Sequence, residues 1–509
     1  MNGAGSTSGF YAMKNVNSLR ISALNDRPEN PEGGYVLYWM QANRRLLYHF
    51  GLQYAVAWAN KLGKPLLVYE AVRTDYPWAS DRFHTFIMEG MAEHATDADR
   101  RGWAYFPFVE REKGEGRGLV ASLAENACIV ISDAFPTFII PKQNAAAARK
   151  SPVKFVTVDS NGILPMALSQ KGAYSAFIFR RTIVQRHFRE CWEAAPDVDP
   201  LVALENRARP DLSNIMSRWP DARPLLQQIP QTVSQLPIDH TVHALPLKGT
   251  RQAALETLDV FVTNRLSKYA GKRNHPDETA YSGLSPYLHF GKISAHEVAD
   301  RVLAAQPPGW TPDMITYADG QNRGFFKGDE NIESFMDEFV TWREIGYHFC
   351  NCIPDHDTFE GLPDWVRATL EEHDRDPRAY VYSLEELERS KTHDVIWNAA
   401  QRQLVEEGVI HNYLRMLWGK KILEWSPDAR EALRRMIHLN NKYAIDGRNP
   451  NSYSGIMWVM GRFDRPWAPA RPVFGTVRYM SSDSTKKKIK LDGYLKKFGA
   501  PPAQTGLFP

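Results

Sequence analysis

Fourteen tryptophans occur in this chain, and eight of them fall between Trp310 and Trp467. Within that stretch Trp418 and Trp425 are seven residues apart, in a run from His411 to Trp425 whose apolar spacing predicts a helix. Seven residues are nearly two turns, so the two indoles share a face about 10 Å apart along the axis. Two jobs suit that geometry: a heptad-spaced core pair, or two members of a chain of oxidisable rings. Arg415 lies three residues before Trp418 on nearly the same face. A guanidinium buried there needs a carboxylate, and Asp446 is one the sequence offers; otherwise both are surface charges. His348, Cys350, Cys352 and His356 come close together, but zinc frameworks bring two spaced pairs, so no metal is expected. His296-Glu297-Val298-Ala299-Asp300 lacks the second histidine of a zinc-protease helix. With no G-x-S-x-G elbow and no Walker A loop, acyl transfer and nucleotide hydrolysis lose their usual sequence supports.

The elements that must position these residues change character along the chain. Residues 1–30 predict a disordered leader: they lack the apolar core of a signal peptide, and the absence of acidic residues before Asp26 is only a weak transit-peptide trait. After Asn30-Pro31-Glu32-Gly33-Gly34, the run Tyr35 to Met40 predicts a strand, followed by a helical pattern at Leu46, Phe50, Tyr54, Ala57 and Trp58. Leu66 to Tyr69, Ile129 to Ile131 and Phe155 to Val158 read as further buried strands. Strands alternating with helices predict an α/β domain with a parallel sheet over 31–171; no G-x-G-x-x-G follows a strand, so no dinucleotide fingerprint is read. Eight prolines between Pro196 and Pro246 predict a surface connection over 172–247. Residues 248–480 read as mainly α, with amphipathic patterns at Ala253 to Ala270, His289 to Ala304, Glu333 to Phe349, Leu384 to Arg389, Ala399 to Glu407 and His411 to Glu424. The tail, 481–509, carries six lysines from Lys486 to Lys497; a solvated face is expected, with phosphate contact the alternative.

Composition sets outer bounds. Apolar residues at 43% and charged residues at 24% are ordinary globular usage, which excludes a coiled coil or wholesale disorder. At 509 residues about three units are expected. A net charge of +3 is too small to imply nucleic acid without a local patch. Four cysteines cannot staple such a chain, so a reducing cytoplasmic location, or one on chromosomal DNA, is expected. No run approaches 18 apolar residues, so no membrane partner is expected.

The run Leu284-Ser285-Pro286-Tyr287-Leu288-His289-Phe290-Gly291-Lys292-Ile293-Ser294 resembles the flavin-phosphate segment of the photolyase/cryptochrome family. Lys391-Thr392-His393-Asp394, Trp397 to Gln401, Met416 to Trp425, Tyr443 to Pro450 and Arg471 to Met480 resemble its class II branch. The resemblance is dense from Gln252 to Met480 and thinner from Tyr35 to Ile163. It implies a Rossmann-like α/β domain followed by a helical FAD-binding domain. The implied activity is that of a deoxyribodipyrimidine photolyase, a carbon–carbon lyase that repairs cyclobutane pyrimidine dimers in UV-damaged double-stranded DNA with light. Repair of (6-4) photoproducts, or light sensing without repair, are the alternatives.

What the resemblance implies for single residues is specific. Tyr269, Ser282, Leu284 and Ser285 are implied neighbours of the FAD phosphates and adenine, Arg415 and Asp446 the pair beside the isoalloxazine, and Asn440 the residue facing its N5. Trp418, Trp397 and Trp425 correspond to the chain that photoreduces the flavin. Glu338 matches the carboxyl that hydrogen-bonds the dimer; Trp458, Trp467 and Asp464 match the lesion pocket and adjoining DNA contact, with Trp342 as a second wall. An antenna chromophore, deazaflavin or folate, is compatible with the N-terminal domain, and a monomer with no obligatory protein partner is expected. The chain departs from the class II pattern at Thr341 to Phe349 and, by one residue, at Gly461 to Asp464. Both segments border the implied pocket, which leaves the lesion preference open.

Overall fold

The computed structural model describes residues 14–499. Its strands are β1 (Ile21–Ala23), β2 (Tyr35–Met40), β3 (Leu66–Val72), β4 (Ala104–Val109), β5 (Ala127–Asp133) and β6 (Phe155–Val158). They form one sheet in the order β1-β6-β5-β2-β3-β4. Strand β2 pairs in parallel with β3, Leu37 opposite Leu67, and with β5, Leu37 opposite Val130. Only β1 runs antiparallel, with Ile21 opposite Val158. All six side chains of β2 are buried, as expected for a central strand covered on both faces. The covering helix Phe50–Leu62 begins where the His49 ring accepts the Leu52 N–H at 3.1 Å. It ends on Gly63 at φ +63, a left-handed cap that glycine adopts without strain.

Four sequence expectations need correction. The leader is not disordered throughout: Ser18–Arg20 forms a turn, β1 joins the sheet, and the buried Arg20 guanidinium donates to the carbonyls of Asp159, Gly162 and Ile163. The rest of that expectation, residues 1–13, lies outside the described residues. Strand β4 is absent from the sequence reading because Pro107 interrupts its run; it lies at the sheet edge, where a missing N–H is tolerated.

The segment 172–247 is not a loose connection. It carries Ala176–Phe179, a π-helical turn Arg180–Val184, Gln185–Glu193, a 3-10 turn Pro200–Ala203 and three short helices, and it buries Phe179, Phe188, Leu201, Trp219 and Val233. Pro200, Pro224 and Pro230 sit in the first turns of helices, where a missing N–H costs nothing. The tail is likewise anchored: Ser482–Lys488 and Asp492–Phe498 are helical, Tyr494 and Phe498 are buried, and the Tyr494 hydroxyl donates to Gln403 at 2.9 Å. Its lysines stay exposed, and residues 500–509 lie outside the described residues.

The second half is helical as expected, with breaks that position the site. The stretch Ala253 to Ala270 is divided into Arg251–Val260, a π-turn Phe261–Arg265, a 3-10 turn and Tyr269–Lys272. His289 to Ala304 breaks at Gly291, φ +64, where an added Cβ would lie 2.4 Å from Asn43 Cα. The loop after β2 therefore docks on that break, and Arg45 donates to the Gly291 carbonyl at 3.3 Å. A second tie is Glu344, fully buried, which accepts the N–H groups of Ile163 and Leu164 at 2.8 and 2.9 Å. One hydrophobic core runs through both halves. Among the described residues no helix is long and apolar enough to cross a membrane.

Candidate active site

Helix Asn412–Trp425 carries Arg415, and the turn after Ala429–Tyr443 carries Asp446. The turn folds back because Gly447 lies against the end of that helix: a Cβ there would approach the Asn440 carbonyl at 2.8 Å. Arg415 Nη2 consequently stands 3.9 Å from Asp446 Oδ2, and Asn440 is buried in the last turn of Ala429–Tyr443. Arg415 Nε and Asp446 Oδ1 are buried without a hydrogen-bond partner, a donor and an acceptor left free at one spot. Buried polar atoms are normally paired, so both are available to a polar group from outside the chain.

The loop Tyr281–Ser285 meets the start of the same helix, with the Tyr281 and His411 rings 6.5 Å apart, edge to face. Ser282 accepts the Leu284 N–H at 3.4 Å, and Ser285 opens a short helix. Tyr269 is buried in a cluster with Phe261 and Phe335. Arg273, one turn later, lies 5.6 Å over the Tyr269 ring and forms an ion pair with Glu338. Burial of His411 pushes its imidazole down to about 4, so it is neutral at physiological pH.

Trp418, Trp397 and Trp425 are all buried. Trp397 Nε1 donates to the Trp418 carbonyl at 2.9 Å, and the Trp397 and Trp425 rings are 5.6 Å apart at 70°. Trp418 Nε1 donates to Gln401 Oε1 at 2.9 Å. Trp397 thus meets the neighbouring helix at the Trp425 ring and at the Trp418 backbone, contacts that spacing within one helix could not reveal.

Glu338 and Trp342 lie on the π-helical segment Asp337–Trp342; such widened turns recur at functional sites. Burial raises the Glu338 carboxyl above its ordinary range, against the pull of Arg273. Trp342 stacks on Trp458 with ring centroids 4.7 Å apart and planes within 18°. The two indoles make one doubled wall, with Trp342 as its second layer. Beyond the turn at Gly461, Trp467 Nε1 donates to Asp464 at 3.1 Å, and Arg465 and Arg478 flank the exposed Trp467 ring. Behind this rim Lys420 is buried with its ammonium on the Val459 carbonyl, and burial pulls it down to about 7.

The histidine and cysteine cluster disperses. Cys350 faces the Pro450 carbonyl, Cys352 faces that of Ser169, and His348 packs on Phe179. Among the described residues no three His, Cys, Asp or Glu side chains are placed to hold a metal. A separate cavity of about 650 Å³ opens past the carboxyl ends of β2, β3 and β4. Trp39, Tyr69 and Phe108 line it from the sheet, and His289 and Arg448 from the helical half.

Sequence reasoning passed over Arg273, Gln401 and this cavity. Arg273 was legible as the residue four after Tyr269, and Gln401 as four after Trp397, one helical turn in each case. The cavity carries no motif, since it is assembled from separated strand ends.

The chain is 32% identical over 481 residues to the deoxyribodipyrimidine photo-lyase of Methanothermobacter thermautotrophicus, covering 94% of this chain and 98% of that one. It is 34% identical over 480 residues to that of Oryza sativa subsp. japonica, covering 91% and 87%. A bacterial class III photolyase from Agrobacterium tumefaciens shares the fold at a TM-score of 0.62 and 18% identity, over 92% of this chain and 86% of that one. An archaeal photolyase from Sulfolobus tokodaii, solved with two FAD molecules, does so at 0.62 and 16% identity, over 91% and 89%. No protein-family model matches the chain.

Proposed function

The chain belongs to the deoxyribodipyrimidine photo-lyase family, and we propose that this enzyme repairs cyclobutane pyrimidine dimers in double-stranded DNA, in the manner of the class II branch. One observation carries the reading. The Arg415–Asp446 pair leaves a buried donor and a buried acceptor without partners, with Arg415 on the helix that also carries Trp418 and Trp425. The free donor and acceptor fit a flavin ring, which offers both kinds of group along its edge.

In this reading Arg415, Asp446 and Asn440 hold the isoalloxazine, while Tyr269, Ser282, Leu284 and Ser285 hold the adenine and phosphates. FAD, when bound and reduced, supplies on absorbing light the single electron that splits the dimer and is then regained. The chain supplies the setting. Arg415 offsets negative charge on the ring, and the Asn440 amide adds a hydrogen bond without adding charge. Trp418, Trp397 and Trp425 carry electrons inward to restore the reduced cofactor. The lesion leaves the duplex, at a cost smaller for damaged bases, and rests on the doubled wall of Trp342 and Trp458. Burial raises the Glu338 carboxyl above its ordinary range against the pull of Arg273, and when it takes up a proton it can donate to a dimer carbonyl oxygen. Asp464 and Trp467 contact the adjoining DNA.

The same reading assigns the sheet domain, 31–171, to an antenna chromophore, deazaflavin or folate, in the 650 Å³ cavity. Crevices beyond the carboxyl ends of parallel strands are the usual ligand sites of such sheets. Residues 248–480 form the catalytic part, and the protein acts as a monomer on chromosomal DNA in the cytoplasm.

The test uses oligonucleotides carrying either a single cyclobutane dimer or a single (6-4) photoproduct, given separately to the reduced, FAD-loaded enzyme under blue light. Loss of the cyclobutane dimer alone is expected. Loss of the (6-4) product instead, or flavin photochemistry with neither lesion lost, contradicts the proposal.

A further inference from the structure

The Asn440 side chain ends in an amide whose oxygen accepts and whose nitrogen donates, so its effect depends on which end faces the site. The next residue decides which. Asn441 is fully buried, and its Oδ1 accepts the backbone N–H of Arg448 at 2.9 Å. A backbone N–H is a donor only, so the atom it meets is the amide oxygen. At the other end Asn441 Nδ2 donates to the Tyr453 hydroxyl at 3.2 Å, and burial pushes that phenol up to about 12, so it is neutral.

With Asn441 set in this way, Asn440 has one choice. Its Nδ2 donates to Asn441 Oδ1 at 3.2 Å. An oxygen of Asn440 in that place would meet Asn441 Oδ1 lone pair to lone pair. The Asn440 amide is therefore turned with its nitrogen inward, and Oδ1 is the end left over. Among the described residues nothing donates to Asn440 Oδ1, and it is not sealed off as Asp446 Oδ1 is, so it is open to a donor from outside the chain.

The anchor of this relay is itself held from several sides. Arg448 has φ +63, a left-handed conformation that a non-glycine residue keeps only where its surroundings enforce it. Its carbonyl accepts from the Thr137 hydroxyl at 2.9 Å, its Nε donates to the Gly447 carbonyl at 3.3 Å, and its guanidinium lies 3.5 Å over the Phe83 ring. Thr137 and Phe83 belong to the sheet half of the chain. The docking of the two halves thus fixes the direction of one N–H, two residues after Asp446.

We propose that Asn441, set by the Arg448 N–H, is a positioning residue that presents the oxygen of Asn440, and not its nitrogen, to the flavin N5. The proposal rests on the reading that Asn440 faces N5 of a bound FAD. In reduced flavin N5 carries a hydrogen and is a donor; in oxidised flavin it has only a lone pair and is an acceptor. A carbonyl oxygen held at that place favours the reduced form, whereas an amide free to turn suits both forms and favours neither. The protein thereby biases its cofactor toward the form that repair uses, through a residue that does not touch it.

The midpoint potential of the flavin is measured in darkness, without DNA, in the full-length FAD-loaded wild type, Asn441→Leu, Asn440→Ala and the double variant. Asn441→Leu is expected to lower the ratio of reduced to oxidised flavin at a fixed potential about tenfold, about 30 mV for a two-electron couple, since the preference worth about one hydrogen bond is lost. In the Asn440→Ala background the same substitution is expected to add nothing, because no amide is left to orient. An unchanged potential in Asn441→Leu, or an equal fall with and without the Asn440 amide, overturns the proposal. Should Asn441→Leu lose its flavin, Asn441→Ala is put through the same cycle and judged by the same outcomes. An Asn440→Ala enzyme with the wild-type potential would instead refute the placement of Asn440 at N5, so the two failures are distinguishable.

Discussion

Trp342 and Trp458 stack on one another at 4.7 Å, each half-buried, so that two helices contribute a single aromatic surface next to Glu338. A base laid on such a surface gains about 1–3 kcal/mol from stacking. Trp458→Ala should therefore weaken dimer binding by about tenfold to a hundredfold while flavin loading is unchanged. Because the two rings support each other, the Trp342→Ala/Trp458→Ala pair should lose less than the sum of the single losses. Titration of dimer-containing DNA with the three variants checks both statements.

Trp397 touches the Trp425 ring and donates to the Trp418 backbone carbonyl, which makes an inward electron path the plainest use of the three indoles. Trp418→Phe is expected to slow photoreduction of oxidised flavin by at least about tenfold while repair by chemically reduced enzyme is spared. Transient absorption gives the first quantity and dimer loss the second; an equal fall in both contradicts the path. The Gln401 carbonyl at 2.9 Å from Trp418 Nε1 makes Gln401→Leu a milder variant of the same kind.

Arg273 and Glu338 form one unit. Removing the carboxyl in Glu338→Ala should lower the yield of split dimers per photon several-fold with a smaller loss of DNA affinity. In Arg273→Ala the carboxyl loses the charge that opposes its burial, so its pKa should rise further. The pH at which repair yield falls on the alkaline side should then move upward relative to wild type. A pH profile of repair yield in the two enzymes reads the shift, and coincident profiles would dissociate the pair.

Glu344 predicts how stability depends on pH. Burial raises its carboxyl to about 7 from 4.5, against the pull of Arg343. The folded protein therefore binds the proton more tightly than the unfolded chain, and this contribution is full below 4.5 and lost as pH rises through 7. Glu344→Gln should show a flatter decline of the thermal midpoint across that window. Parallel curves for the two proteins would contradict the assignment.

Much of the scaffold was legible in the sequence because burial on both faces writes itself as continuous apolar runs: β2, β3, β5 and β6 each announce themselves in this way. The misses have physical causes. Pro107 disguises β4 because an edge strand tolerates what a central strand does not. The prolines of 172–247 read as loop residues, yet Pro200, Pro224 and Pro230 open helices. At the site, the sequence named Arg415 and Asp446 as a pair, but not the turn closed on Gly447 that brings them to 3.9 Å. Spacing paired Trp418 with Trp425 and the resemblance added Trp397, but which of the two Trp397 touches by its ring, Trp425, only the packing of two helices shows. The stacking of Trp342 on Trp458 joins segments more than a hundred residues apart, so only the fold could display it.

The central claim is tested most directly by the dimer content of a UV-irradiated oligonucleotide after incubation with chemically reduced, FAD-loaded enzyme, under blue light and in darkness. Loss of cyclobutane dimers in the light alone, with intact pyrimidines restored, is the predicted result. Dimers that persist under light although FAD is bound and reduced would contradict the account.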